Sequence, residues 1–108
     1  MESFECPYLG MSVELTDERM THVRSRHPGV LPEHLARIAD TLEYPDVIQQ
    51  SSKESDVRLF SRRFPDQLRG RHIVVVVKSD TEPALRHWIR TAYIARRLSG
   101  AVIKWQRV

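Results

Sequence analysis

The chain has 108 residues, of which 41% are hydrophobic and 29% charged, with a formal net charge of +3. This is the length of one domain with enough apolar content for its own core, which excludes an intrinsically disordered chain. The single cysteine, Cys6, excludes an internal disulfide framework and fits a reducing compartment.

The opening MESFECPYLG has neither the basic start nor the apolar centre of an export leader, and no stretch reaches the length of a membrane span. A cytoplasmic protein without membrane contact is expected. Ser12 to Leu15 (SVEL) alternates and reads as a short edge strand. Thr16 is a helix N-cap, with Asp17 and Glu18 in the first turn where negative charge complements the helix dipole. That helix runs to about His27, because Pro28 disfavours helical geometry at the residue before it. Met20 and Val23 share one of its faces, and Arg19, His22 and Arg26 form a cationic stripe on another.

A second helix opens near Pro32 and carries Leu31, Leu35, Ile38 and Leu42 at helical spacing. Glu43-Tyr44-Pro45-Asp46 ends it, and Val47 to Gln50 reads as a strand before the polar SSKESD turn. Val57 to Phe64 (VRLFSRRF) alternates, with Leu59, Ser61 and Arg63 on one side and Phe60, Arg62 and Phe64 on the other. His72 to Lys78 (HIVVVVK) is β-branched and lacks polar alternation, so it is expected to be the central strand, covered on both faces. Trp88 to Ile94 follows as its antiparallel neighbour. Strict alternation there places Ile89, Thr91 and Tyr93 on one face and Arg90 on the opposite one, unless a bulge intervenes. Ala95 to Leu98 is expected as a short helical turn closed by Gly100, and Val102 to Gln106 as a last strand. Helices before strands imply an α+β fold, with two N-terminal helices packed on one face of a four- to five-stranded antiparallel sheet.

Charge is unevenly divided. Residues 1–56 hold 11 acids against 5 Lys and Arg, a net of −6, whereas residues 57–108 hold 3 acids against 12 bases, a net of +9. The bases of the second half are nearly all arginine, which forks onto phosphate oxygens. They either pair with the acidic half or meet a polyanion.

Several chemistries lack their residues. His22 and His27 lie five apart, diverging by roughly 140° on a helix, and so cannot clasp one ion together. There is no HExxH, no cysteine pair, no nucleophile turn and no glycine-rich phosphate loop, so neither a metal nor a cofactor is expected. RNA cleavage by the neighbouring 2′-OH needs only a proton carrier and cations, which histidine and arginine supply. The stripe of Arg19, His22 and Arg26 offers both, though exposed histidine beside arginine is also an ordinary helix surface. Thr91 and Tyr93 offer hydroxyls to a phosphate or ribose, or are ordinary strand residues. Lys78 is either a solubilising strand end or a phosphate contact.

ERMTHVRSRHPGV, the helix ending in EYPDVI, LFSRRF, HIVVVVK and IRTAY, in this order over residues 14–105, resemble the phage- and toxin-associated nucleases of the Barnase, EndoU, colicin and RelE-like (BECR) superfamily. The resemblance implies a metal-independent endoribonuclease, with RNA as partner, no cofactor, and an antitoxin or immunity protein to hold it in check. It points to His22, Arg26, His27, Arg62, Thr91 and Tyr93 as catalytic candidates, with His22 expected to transfer the proton, Arg62 and Arg26 to meet the phosphate in the transition state, and Thr91 to orient it. Arg19, Arg63, Lys78 and Arg90 are the candidates for binding RNA. His27, beside Pro28, either holds the turn or takes part in catalysis. The alternative is a non-catalytic RNA-binding or partner-binding module that keeps the basic sheet without the chemistry.

Overall fold

The valine strand is the middle of the sheet. The computed structural model describes residues 1–108 and contains β1 (Glu2–Phe4), β2 (Val13–Leu15), α1 (Asp17–Arg26), α2 (Leu35–Glu43), β3 (Val47–Gln50), β4 (Val57–Phe64), β5 (Arg71–Asp80), β6 (Arg86–Ala95) and β7 (Val102–Gln106). All seven strands form one sheet in the order β1-β2-β6-β5-β4-β3-β7, which makes β5 the fourth of seven. Ile73, Val75 and Val77 face the helices and are fully buried with Phe60 of β4, Ile89 and Ala92 of β6, and Ile38 and Leu42 of α2. On the other face Val74 is also buried, while Val76 is half-buried.

The expected four- to five-stranded antiparallel sheet is corrected by this topology. The sheet has seven strands and is mixed, because β2 runs parallel to β6 through Val13↔His87 and Glu14↔Trp88. β1, which the sequence reading did not anticipate, pairs antiparallel with β2. Two three-residue strands contribute little periodicity of their own, and only the long β6 provides the edge on which they form.

The helices do not both lie flat on one face. α2 packs on β4 and β5. α1 accompanies β6 instead, where β2 has ended and the β6 edge would otherwise be bare. Arg19 spans the gap: its Nε and Nη2 donate to the Arg90 carbonyl at 3.0 and 2.7 Å, and its guanidinium lies 5.9 Å from the centroid of the Trp88 ring. Thr16 caps the helix, accepting from the Arg19 amide at 3.2 Å. Val23 is the fully buried residue of this helix.

A bulge in β6 corrects the expected alternation. The register runs Val76↔Thr91 but Val77↔Ile89, so Arg90 is an extra residue. Ile89 and Ala92 therefore both enter the core, and Thr91 and Tyr93 face the other side, without Ile89.

The expected helical turn at Ala95 to Leu98 is not formed. β6 continues through Ala95, and Arg96–Ala101 crosses to β7 at the far edge of the sheet. That crossing covers four strand spacings, or about 19 Å, which six residues reach at ~3.3 Å each but not at the ~1.5 Å rise of a helix. Gln49 pins the crossing segment, donating from Nε2 to the carbonyls of Ser99 and Ala101 at 2.7 and 3.1 Å.

Replacing Arg19 by methionine keeps the aliphatic stem but strands the Arg90 carbonyl, and is expected to lower unfolding free energy by about 1–3 kcal/mol. Urea denaturation checks this against Arg24→Met, an exposed position expected to change stability by less than about 0.5 kcal/mol.

Candidate functional site

The sequence candidates separate into two ends of the sheet. At the hairpin end, where β5 turns into β6, the candidate cations Lys78 and Arg90 are already paired. Lys78 Nζ is bound to Asp56 and lies 3.4 Å from Asp80, and Arg90 forks onto Glu54 at 2.5 and 3.3 Å. Arg86 meets Glu14 at 2.9 Å. These contacts hold the Lys78 ammonium above its ordinary pKa, through the Asp56 hydrogen bond first, and hold Glu54 and Asp56 below theirs, through Arg90 and Lys78. Of the four RNA-binding candidates, Lys78, Arg90 and Arg19 are thus engaged inside the protein.

The opposite end differs. There β4, β5 and β6 align Arg63, His72 and Ala95 in one row, and the next row holds Ser61, Val74 and Tyr93. All six lie on the face turned away from α2. The C-terminal end of α1 brings His27, its C-cap residue, to this face, with its ring 5.5 Å from that of Tyr93 and tilted by 35°. His27 and Tyr93 are both half-buried, and burial raises the Tyr93 pKa, so the phenol keeps its proton at neutral pH. Arg26, Arg63, Arg96 and Arg97 stand at this end, exposed and without an ion pair. The Arg63 guanidinium donates only to the Gly70 carbonyl, at 3.0 Å.

His27, Tyr93 and Thr91 are therefore brought together, with Arg26 beside them on the chain. His22 lies on α1 among Arg19, Arg26 and His27, and desolvation first, then Arg19 and Arg26, lower its pKa. Arg62 is not part of the group. It projects from the helix-covered side of β4, where it donates to the Tyr44 carbonyl at 2.6 Å and lies 5.8 Å from the centroid of the Phe64 ring. The Thr91 hydroxyl is cut off from solvent and has no hydrogen-bond partner, and the same is true of His72 Nδ1 on the same face.

Sequence reasoning missed His72, Arg96 and Arg97 as members of this end. The alternation of β5 puts His72 on the side of Lys78, but which end of the strand meets α1 depends on how α1 docks. Burial first, and then Arg63, lowers the His72 pKa.

No cleft of the molecule is lined by His27, Thr91 or Tyr93. The most apolar groove, about 480 Å³, is lined by Tyr44, Pro45, Ile48 and Trp105 near the β3–β7 edge. The His27 end is an open basic surface, a shape suited to a polymer laid across it. No three His, Cys, Asp or Glu side chains converge as a metal-ligand set. No helix is long and apolar enough to cross a membrane. Comparison with protein-family models, with curated proteins and with solved structures finds no match to this chain. The resemblance to the BECR nucleases accordingly rests on the quoted motifs.

His34, His72 and His87 all have lowered pKa values, each chiefly through burial. Their neutral forms are the ones the fold holds, so their contribution is complete above the unfolded-state value near ~6.5 and is lost as pH falls through that value toward the folded one. Melting temperature is expected to drop on acidification from about pH 7 to about pH 5, before the carboxylates protonate, and His72→Gln is expected to flatten that decline. Thermal melts across this range check it.

Proposed function

We propose that this chain is a metal-independent endoribonuclease of BECR type that works on the face carrying His27 and Tyr93. The observation that carries the reading is the His27–Tyr93 pair, set at the end of the sheet where the guanidinium groups of Arg26, Arg63, Arg96 and Arg97 form no ion pair. A titratable ring beside a protonated phenol and unpaired guanidinium groups has what phosphodiester cleavage by the adjacent 2′-OH requires.

In this reading His27 takes the proton of the 2′-OH as that oxygen attacks phosphorus. The arginines and the Tyr93 hydroxyl donate hydrogen bonds to the phosphorane oxygens. The bond from phosphorus to the 5′ oxygen then breaks, that oxygen takes a proton from water, and a 2′,3′-cyclic phosphate remains. His22, turned roughly 140° from His27 on an ideal helix, contacts the RNA backbone and takes no part in this proton transfer. Thr91 has its hydroxyl out of solvent and supports the placement of Tyr93 without touching RNA. The motif resemblance extends the reading to a cytoplasmic toxin held by an antitoxin or immunity protein, and to expression that arrests growth.

A second reading, an RNA-binding module without chemistry, is favoured by one observation: two polar atoms of this face, Thr91 Oγ1 and His72 Nδ1, are sealed from any substrate.

Incubation with tRNA, rRNA and mRNA in EDTA separates the two. Cleavage is expected to leave cyclic phosphate ends and to fall by about 10²–10⁴-fold in His27→Ala. Arg63→Ala and Arg96→Ala are each expected to reduce the slope of log affinity against log salt by about 0.7, as for one lost single-strand phosphate contact. Salt-dependent binding by folded protein with no cleavage of any RNA establishes the binding module, and intact RNA with no binding removes both.

A further inference from the structure

Three side chains that the nuclease reading leaves unused meet on the helix-covered face of the sheet, at its hairpin end. Arg58 of β4 projects on the side of Phe60, Ser79 of β5 on the side of Val77, and His87 of β6 pairs directly with Ser79. Ser79 Oγ is 2.6 Å from His87 Nδ1, and Arg58 Nη1 donates to the same Oγ at 3.3 Å. The segment bearing Tyr8 and Leu9 forms the facing wall, and Thr81 and Leu85 from the β5–β6 turn complete a cleft of about 580 Å³. This volume is many times that of a water molecule and accommodates a small organic ligand.

The charge of this cleft is unbalanced. The molecule's ion pairs engage Arg19, Lys78, Arg86, Arg90 and Arg107, and none engages Arg58. Asp56, at the rim, is occupied by Lys78 from the other side of the sheet. Arg58 is half-buried, and its one protein partner is a neutral hydroxyl. A desolvated guanidinium without an anion is costly, and its remaining N–H groups need acceptors.

The neighbours are donors as well. Burial first, and then Arg58, lowers the His87 pKa, which keeps the ring neutral at pH 7. A guanidinium only donates, so Ser79 Oγ accepts from Arg58 and its own hydrogen can go to His87 Nδ1, which puts the ring proton on Nε2. Nε2 has no protein partner. Arg58, His87 Nε2 and the Thr81 hydroxyl are thus donors from two strands and a turn around one space, with no free carboxylate among them. A carboxylate ligand brings two oxygens and one charge. A terminal phosphate brings three oxygens and close to two charges, which matches this donor set better.

We propose that this cleft binds a small phosphomonoester, with its phosphate on Arg58, His87 and Thr81 and its organic part against Tyr8 and Leu85 at the mouth. Tyr8 and Leu85 are 44% and 52% exposed, so they are available to an incoming ligand. This site lies on the opposite face from His27 and does not rest on the nuclease reading.

The test is an NMR titration of the full chain at pH 7, following the His87 ring and the Ser79 and Thr81 amides, with inorganic phosphate, ribose 5-phosphate and acetate as separate probes. The expected result is saturable shifts at these three residues with ribose 5-phosphate, weaker ones with inorganic phosphate and the weakest with acetate. Arg58→Gln is expected to weaken ribose 5-phosphate binding by about tenfold or more while leaving RNA cleavage unchanged. Ser79→Ala, a milder change, is expected to weaken it less and serves if Arg58→Gln does not fold. Absence of saturable shifts at these residues, affinity unaltered in the folded variant, or acetate binding as tightly as ribose 5-phosphate overturns the proposal.

Discussion

Burial of β5 on both faces is the constraint from which the rest of the structure follows. Val74 and Val75 face opposite ways and are both sealed, so the strand must have strands on either side and cover above and below. α2 supplies one cover, placing Ile38 and Leu42 over Val75 and its neighbours. Part of the other comes from the short Arg96–Ala101 segment that carries the chain from β6 to β7 across the sheet and is held by Gln49. A strand of this composition in a smaller sheet would leave apolar surface in water at about 25 cal/mol per Å².

The sheet also organises charge. Every strand that touches β5 brings arginine with it, and apart from Arg58, held only by the Ser79 hydroxyl, their pairing follows the end they reach. At the hairpin end, Glu14, Glu54, Asp56 and Asp80 from the acidic half of the chain neutralise Arg86, Arg90 and Lys78. At the other end no carboxylate pairs with the guanidinium groups of Arg26, Arg63, Arg96 and Arg97, and the Asp46 carboxylate accepts instead from the Arg63 backbone amide at 2.8 Å. Of the two accounts of the charge asymmetry, internal pairing therefore applies at the hairpin end.

α1 links this division to function. Its first turn is tied by Arg19 to the bulged residue Arg90, and its last residue delivers His27 to Tyr93. One helix lying along a bare strand edge thus protects that edge and sets the His27 ring at the opposite end of the sheet from the hairpin. The bulge matters to both, because it turns Thr91 and Tyr93 out of the core while Ile89 stays in.

Local pattern alone determined a good deal. The boundaries of β3, β4 and β7, the Thr16 cap and the central place of the valine strand are all legible, because each depends on residue spacing or a capping side chain within a few positions. The motifs named His27, Thr91 and Tyr93 alongside His22, Arg26 and Arg62, but not which of the six lie close together, because that depends on how α1 docks against β6. Tertiary structure decided what pairing across distance controls: the parallel contact of β2 with β6, the outlying β7, and the extra residue at Arg90. It also decided which cations are free, since a carboxylate such as Glu54 is 36 residues from the arginine it neutralises. Arg62 shows the difference most plainly. Its alternation put it correctly on the side of Phe60 and Phe64, but only the packed fold reveals that this side belongs to Tyr44 and the core rather than to His27.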